Sequence, residues 1–184
     1  MDHISMICGL DENGIYLIEK DPNVTRDFRV LNHPLGSRLI LWNPKDGTTT
    51  VVKDNVLAAH LIPSQQIFYY LTAVASSHQI EESQRPSQIP VEGYLLSLWR
   101  GDLQTGVGTH LFDDDRTDPS CYFSFAFGGT FVQEDQRLYA EFYYPYPSEV
   151  PYARRIEIVE DGIRIDDTEL EQLEKSLLQI HPTA

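Results

Sequence analysis

The sequence predicts a mainly β fold, a twisted antiparallel sheet or sheets capped by one C-terminal helix. Three observations predict it. Short apolar segments of strand length are separated by Asn-Gly and Asp-Gly turn signals. Alternating apolar residues recur through the second half, as at Phe123, Phe125 and Phe127. Only the segment near the C-terminus keeps clear helical spacing, with Leu170, Leu173, Leu177 and Ile180 on one stripe.

In chain order, Asp11-Glu12-Asn13-Gly14 separates the strand segments Ile4–Leu10 and Ile15–Ile18, because Asn and Gly tolerate positive φ. Asn43-Pro44-Lys45-Asp46-Gly47 separates Leu39–Trp42 from Thr48–Val52 in the same way. Val56–Ile62 reads as a buried strand or a helical turn, and Pro63 stops it in either case. Residues 76–91 are polar and hold two prolines, which predicts a flexible internal loop. Near the end, Asp161-Gly162 predicts a hairpin in which Glu160 faces Ile163 and Ile158 faces Ile165. That register places Ile156, Ile158, Ile163 and Ile165 on one face. The helix spans 167–181, with Thr168 and Glu171 as a capping box and Pro182 as its stop.

The chain has 184 residues, enough for one core, and reads as a single domain over 1–184. The first residues lack the charged start and apolar run of a signal peptide, and no apolar run is long enough for a membrane helix. The two cysteines, Cys8 and Cys121, read as reduced, buried thiols of a cytoplasmic protein. Acids outnumber Lys plus Arg by 28 to 14, a net charge of −14. The excess is uneven: residues 1–92 carry 11 acids and 7 bases, residues 93–184 carry 17 and 7. Such a field repels nucleic acid and anionic membranes and speeds encounter with a basic protein, the partner expected here. Acidity of this degree also serves solubility alone.

A repeat runs through the sequence. Leu39-Ile40-Leu41-Trp42 returns as Leu96-Ser97-Leu98-Trp99 at an offset of 57, which Thr48 and Thr105 keep, while Phe68-Tyr69 returns as Leu138-Tyr139 at an offset of 70. The lengthening of 13 residues falls near Asp113–Pro119. A strand ending in Trp, a turn, a Thr/Val strand and then an aromatic strand resembles a β-propeller blade over residues 38–75 and 94–144. Neither copy has a Trp-Asp dipeptide or a Gly-His signature, and two copies are fewer than a closed ring uses. A blade-like pseudo-repeat within antiparallel sheets is therefore the expected form.

Chemistry-bearing motifs are sparse. Asp113, Asp114, Asp115 and Asp118 suggest a calcium loop, but Arg116 sits among them and the central Gly and distal Glu are missing. The reading is a solvated acidic loop that can receive Arg or Lys of a partner. The six histidines lack zinc spacing, so no metal or cofactor is expected. Ser76-Ser77-His78 lies in the flexible loop, there is no Gly-x-Ser-x-Gly elbow, and Gly106-Val107-Gly108 lacks a third glycine. Tyr143, Tyr144 and Tyr146 alternate with prolines and flank acids, which predicts partly exposed rings on a protein-binding surface. The expected function is non-enzymatic binding of a basic protein. In size and charge the chain is similar to bacterial immunity proteins, a resemblance that implies neutralisation of a basic toxin such as a nuclease and carries no residues over. A carboxylate-based hydrolase on a β-scaffold and a propeller-like scaffold subunit are the rival readings.

Overall fold

The computed structural model describes residues 4–20, 37–76, 93–114, 128–144 and 152–165. Among the described residues, twelve strands form three four-stranded antiparallel sheets, each a meander of consecutive strands. The first sheet holds β1 (Ile4–Leu10), β2 (Ile15–Lys20), β3 (Ser37–Trp42) and β4 (Thr49–Asp54). The second holds β5 (Ala58–Ile62), β6 (Ile67–Ser76), β7 (Gly93–Asp102) and β8 (Gly108–Asp114). The third holds β9 (Gly128–Glu134), β10 (Arg137–Tyr144), β11 (Tyr152–Val159) and β12 (Gly162–Ile165). The helix predicted over 167–181 lies outside the described residues. So does the loop predicted over 76–91, apart from Ser76, which ends β6.

The turns form where the sequence marks them. The Asp11 carboxylate accepts hydrogen bonds from the N–H groups of Asn13 at 2.8 Å and Gly14 at 3.2 Å, which closes the first hairpin. Val56–Ile62 resolves as strand, with a 3-10 turn at Pro63–Gln65 behind it. The last hairpin differs from expectation. Ile158 pairs with Ile163 and Ile156 with Ile165, so the loop is Glu160-Asp161 and Gly162 opens β12 opposite Val159. The slip moves each pairing by two residues, which preserves the face, and Ile156, Ile158 and Ile163 all reach the core.

The repeat is threefold. Gly47 and Gly106 close equivalent β3–β4 and β7–β8 turns at φ +74° and +69°, and their N–H groups donate to Asn43 and Asp102, each at 2.9 Å. The turn offset is thus 59 and not the 57 of the Leu-Trp segments, a difference of two residues that keeps the same face. The offset of 70 relates β6 to β10, the second strands of the second and third sheets. The two offsets differ because they compare different pairs of sheets.

Two cores hold the sheets together, with the second sheet between the others. Tyr16, Ile18 and Leu39 of the first sheet pack on Ala59, Leu61, Phe68 and Tyr70 of the second. On its opposite side, Ala58, Leu71, Leu96 and Leu98 pack on Ala140, Phe142 and Ile156 of the third. The cross-strand glycine pair Gly101–Gly108 makes room for large rings, because a Cβ at these positions would enter Phe68 and the Tyr70 hydroxyl. Cys8 lies by Ala59 and Gly9 by Leu61, so β1 and β5 run in the same direction. Gly129 lies by Leu71, the partner of Ala58, and the Phe131 ring faces His60, so β9 follows them.

The outward faces of the first and third sheets differ. On the first, Ile7, Leu17, Ile40 and Val51 form one cross-strand row, and Leu10, Ile15 and Trp42 lie in the next. Two bulges in β1 turn Ile4, Ile7 and Leu10 to this side although they stand three residues apart. On the third, Arg155 pairs with Glu141 at 2.8 Å and Glu134 at 3.0 Å and lies over the Tyr139 ring. Glu157 there receives Arg164 at 2.9 Å and Arg137 at 3.6 Å.

Candidate partner-binding end

Parallel first strands and meander order sort the connections by end. The tight turns after the first and third strands of every sheet lie at one end. The opposite end carries the boundaries of every long connection: Lys20 and Ser37, Ser76 and Gly93, Asp114 and Gly128, Tyr144 and Tyr152, and Ile165. Function on β-scaffolds concentrates on long connections held by a rigid framework. Both residue groups singled out in the sequence have members at this end, since Asp113 and Asp114 end β8 and Tyr143 and Tyr144 end β10. Asp115, Asp118 and Tyr146 lie outside the described residues, in segments that leave from those two strand ends.

The described framework holds fourteen acids and nine bases, a net −5. The remaining segments hold fourteen acids and five bases, a net −9, and all of them attach at the long-connection end.

Two expectations need correction. Asp113 does not project from a solvated insertion: it belongs to β8, paired with Ser97. One oxygen of its carboxylate accepts the Ser97 hydroxyl at 2.6 Å and contacts Nε2 of His110 at 2.8 Å. Partial burial pushes this carboxyl up, but the hydrogen bonds from Ser97 and His110 and the charge of His110 outweigh it, and the pKa falls below its ordinary value. Tyr143 and Tyr144 are strand residues rather than part of an irregular segment. Tyr143 pairs with Ala153 and Gly128, and Tyr144 with Tyr152, on an interior strand. Pro145 acts only after them, where β10 ends.

Beside Asp113 lies an aromatic ladder that crosses the second sheet. Phe68 stacks on Tyr70 at 5.1 Å, Tyr70 on Trp99 at 6.2 Å, and Trp99 meets His110 edge-on at 4.9 Å. The Trp99 indole N–H donates to the Thr72 hydroxyl at 3.0 Å. Sequence reasoning missed His110 and Ser97. Three residues apart in a strand, His110 and Asp113 should face opposite ways, but a register shift between Leu98 and Trp99 turns them to the same side. Alternation in Leu96-Ser97-Leu98-Trp99 was the available signal that Ser97 shares the face of Trp99.

This cluster is a clamp rather than a nucleophilic site. The carboxylate stands between hydroxyl and imidazole, so the His110 nitrogen that would serve as base is turned to Asp113 and not to Ser97. Among the described residues no three His, Cys, Asp or Glu side chains come together as metal ligands, and no helix is long and apolar enough to cross a membrane. Cys8 is a free, half-buried thiol, pushed up to about 12 by burial, and so is a poor nucleophile. No family model matches the chain, and no curated protein or solved structure matches it either.

Proposed function

We propose that this protein is a non-enzymatic binding module that receives a basic protein partner at the long-connection end of its second and third sheets. The observation that carries the reading is the division of charge: −9 of the net −14 lies in segments attached to that end. An acidic field orients a cationic partner during approach and raises the association rate. The ends of β8 and β10 bring acid and tyrosine to neighbouring sheets, the combination that a protein interface uses. Neutralisation of a basic toxin, as immunity proteins perform it, is the biological use that fits. The three successive meanders with parallel first strands favour a propeller-like scaffold as the second reading, in which this chain supplies three blades.

The test is a pull-down from the native host followed by binding kinetics at two salt concentrations. The expected partner is basic, and the association rate falls as the Debye length shrinks from about 10 Å at 0.1 M to about 3 Å at 1 M. Changing Asp114, Asp115 and Asp118 to Asn should lower the on-rate with little change in melting temperature. Adding Asp113→Asn should further disturb the Ser97–His110 clamp. An acidic partner, or binding indifferent to both salt and the substitutions, would overturn the reading.

A further inference from the structure

The turn between β1 and β2 carries a reactive pair. Asn13-Gly14 is the only Asn-Gly step in the chain, and Asn13 is exposed. The backbone nitrogen after an asparagine can lose its proton and attack the side-chain amide carbon. Glycine permits this most readily, because it has no Cβ to crowd the approach. The other asparagines of the described residues are poorly placed for the same step. Asn43 precedes Pro44, whose nitrogen has no proton to lose. Asn55 precedes Val56, which is fully buried, β-branched and bonded through its N–H to the Ser37 carbonyl at 3.0 Å. The fold cannot dispense with Gly14 either, since it is buried and a Cβ there would strike the Trp42 carbonyl oxygen.

We propose that Asn13 is a site of spontaneous deamidation, and that the Asp11 carboxylate is the lock that slows it. One carboxylate holds every group the reaction must free. Its Oδ1 accepts the Gly14 N–H, which carries the nucleophile's proton, at 3.2 Å and the Asn13 N–H at 2.8 Å. Its Oδ2 accepts the side-chain N–H of Asn13, on the leaving amide, at 3.2 Å and the Tyr16 hydroxyl at 3.0 Å. A negative charge beside Gly14 also opposes the nitrogen anion that must form. In the reaction the Gly14 nitrogen gives its proton to hydroxide and bonds to Cγ of Asn13. The bond from Cγ to Nδ2 breaks and ammonia leaves, closing a succinimide ring. Water then opens either ring carbonyl to give aspartate or isoaspartate, so no oxidant or reductant is needed. The aspartate product sets a second carboxylate where the amide lay, within hydrogen-bond distance of Asp11, and the two repel. Isoaspartate inserts a methylene into the backbone beside Gly14, where the Trp42 carbonyl leaves no room even for a Cβ. Either product weakens the hairpin that joins β1 to β2, an irreversible change seeded at one turn.

The experiment is incubation of the full chain in mildly alkaline buffer, folded or unfolded in urea, followed by peptide mapping by mass spectrometry. A gain in mass at Asn13 separates deamidation from isomerisation at Asp46-Gly47 and Asp161-Gly162, which changes no mass. The unfolded chain should deamidate at Asn13 about tenfold faster than the folded chain, or more, because hydrogen bonds to a charged group are lost. Asp11→Ala in the folded chain should recover most of that rate. Leu39→Ala weakens the core of the same sheet without touching the turn, so it should leave the rate unchanged. Asn13→Asp places the product's carboxylate and should lower the melting temperature by about 2–4 °C. Adding Asp11→Asn to that chain should restore most of the loss, because one carboxylate again faces one amide. Folded wild type reacting as fast as the unfolded chain, or Asp11→Ala reacting no faster than wild type, would overturn the proposal. So would Leu39→Ala accelerating as much as Asp11→Ala, or an Asn13→Asp chain as stable as the parent.

Discussion

The first and third sheets are built alike, each a four-stranded meander whose inward face packs on the second sheet, and they end the stack in opposite chemistry. The first turns Ile7, Leu17, Ile40 and Val51 outward in one row. The third turns out Arg137, Arg155 and Arg164 among Glu134, Glu141 and Glu157. Topology therefore does not decide what a sheet face does. The choice of side chain at every second strand position decides it, because alternate residues point to opposite faces. One face is finished for water, and the other has apolar surface left over.

The inward faces should respond alike, and they carry the largest expected effects. Phe142 of the third sheet and Leu39 of the first are fully buried in their respective cores. Phe142→Ala should cost about 3–5 kcal/mol and Leu39→Ala about 2–5 kcal/mol in chemical denaturation. If one of these were neutral, the corresponding sheet would not be held by its core, and the comparison between equivalent sheets would break.

The outward faces should then separate. Leu17 is buried on the first sheet, so Leu17→Ala should cost about 2–4 kcal/mol even though it faces away from both cores. Arg164 is mostly exposed on the third, and Arg164→Ala should cost less than about 1 kcal/mol, because an exposed ion pair gains little over its solvated partners. Equal losses at the two positions, measured by the same denaturant titration, would mean that the two faces are not distinguished by burial.

Much of this architecture was legible, and the parts that were not share a cause. Turn chemistry marked the hairpins at Asp11–Gly14 and Asn43–Gly47, because side-chain hydrogen bonds and positive φ are local properties. Strand faces were legible too, as the four isoleucines of the last hairpin show, since a two-residue slip leaves the face intact. Pairing between distant segments was not. The third sheet is hidden in the sequence because the offset of 57 relates the first and second sheets and the offset of 70 the second and third, and together they look like one repeat with an insertion. Of the candidate residues, Asp113, Asp114, Tyr143 and Tyr144 stand at the ends of two strands, and the clamp on Asp113 depends on a bulge that no local signal announces. Tyr143 and Tyr144 differ from expectation because Pro145 ends their strand without excluding the residues before it.

The smallest expected effect concerns that clamp. The Asp113 carboxyl has a pKa below its ordinary value in the folded chain, so it contributes stability where the unfolded carboxyl is also ionised. That contribution is present in full above the ordinary carboxylate range and is lost as pH falls below about 4 toward the lowered folded value. Asp113 is close to half exposed, which limits the effect to about 0.2–1 kcal/mol. Asp113→Asn should therefore be less stable than the parent chain at neutral pH, and the gap should narrow in acid. Denaturant titrations of both chains at pH 7, 5 and 3 would read the gap directly, and repeating them in a His110→Gln background would isolate what Ser97 alone supplies. A gap that widens as pH falls has the wrong sign for a carboxylate stabilised in its charged form, and would show that Asp113 acts through shape rather than charge. The third sheet offers the contrast, since its ion pairs are spread over three arginines and the loss of any one leaves the others in place.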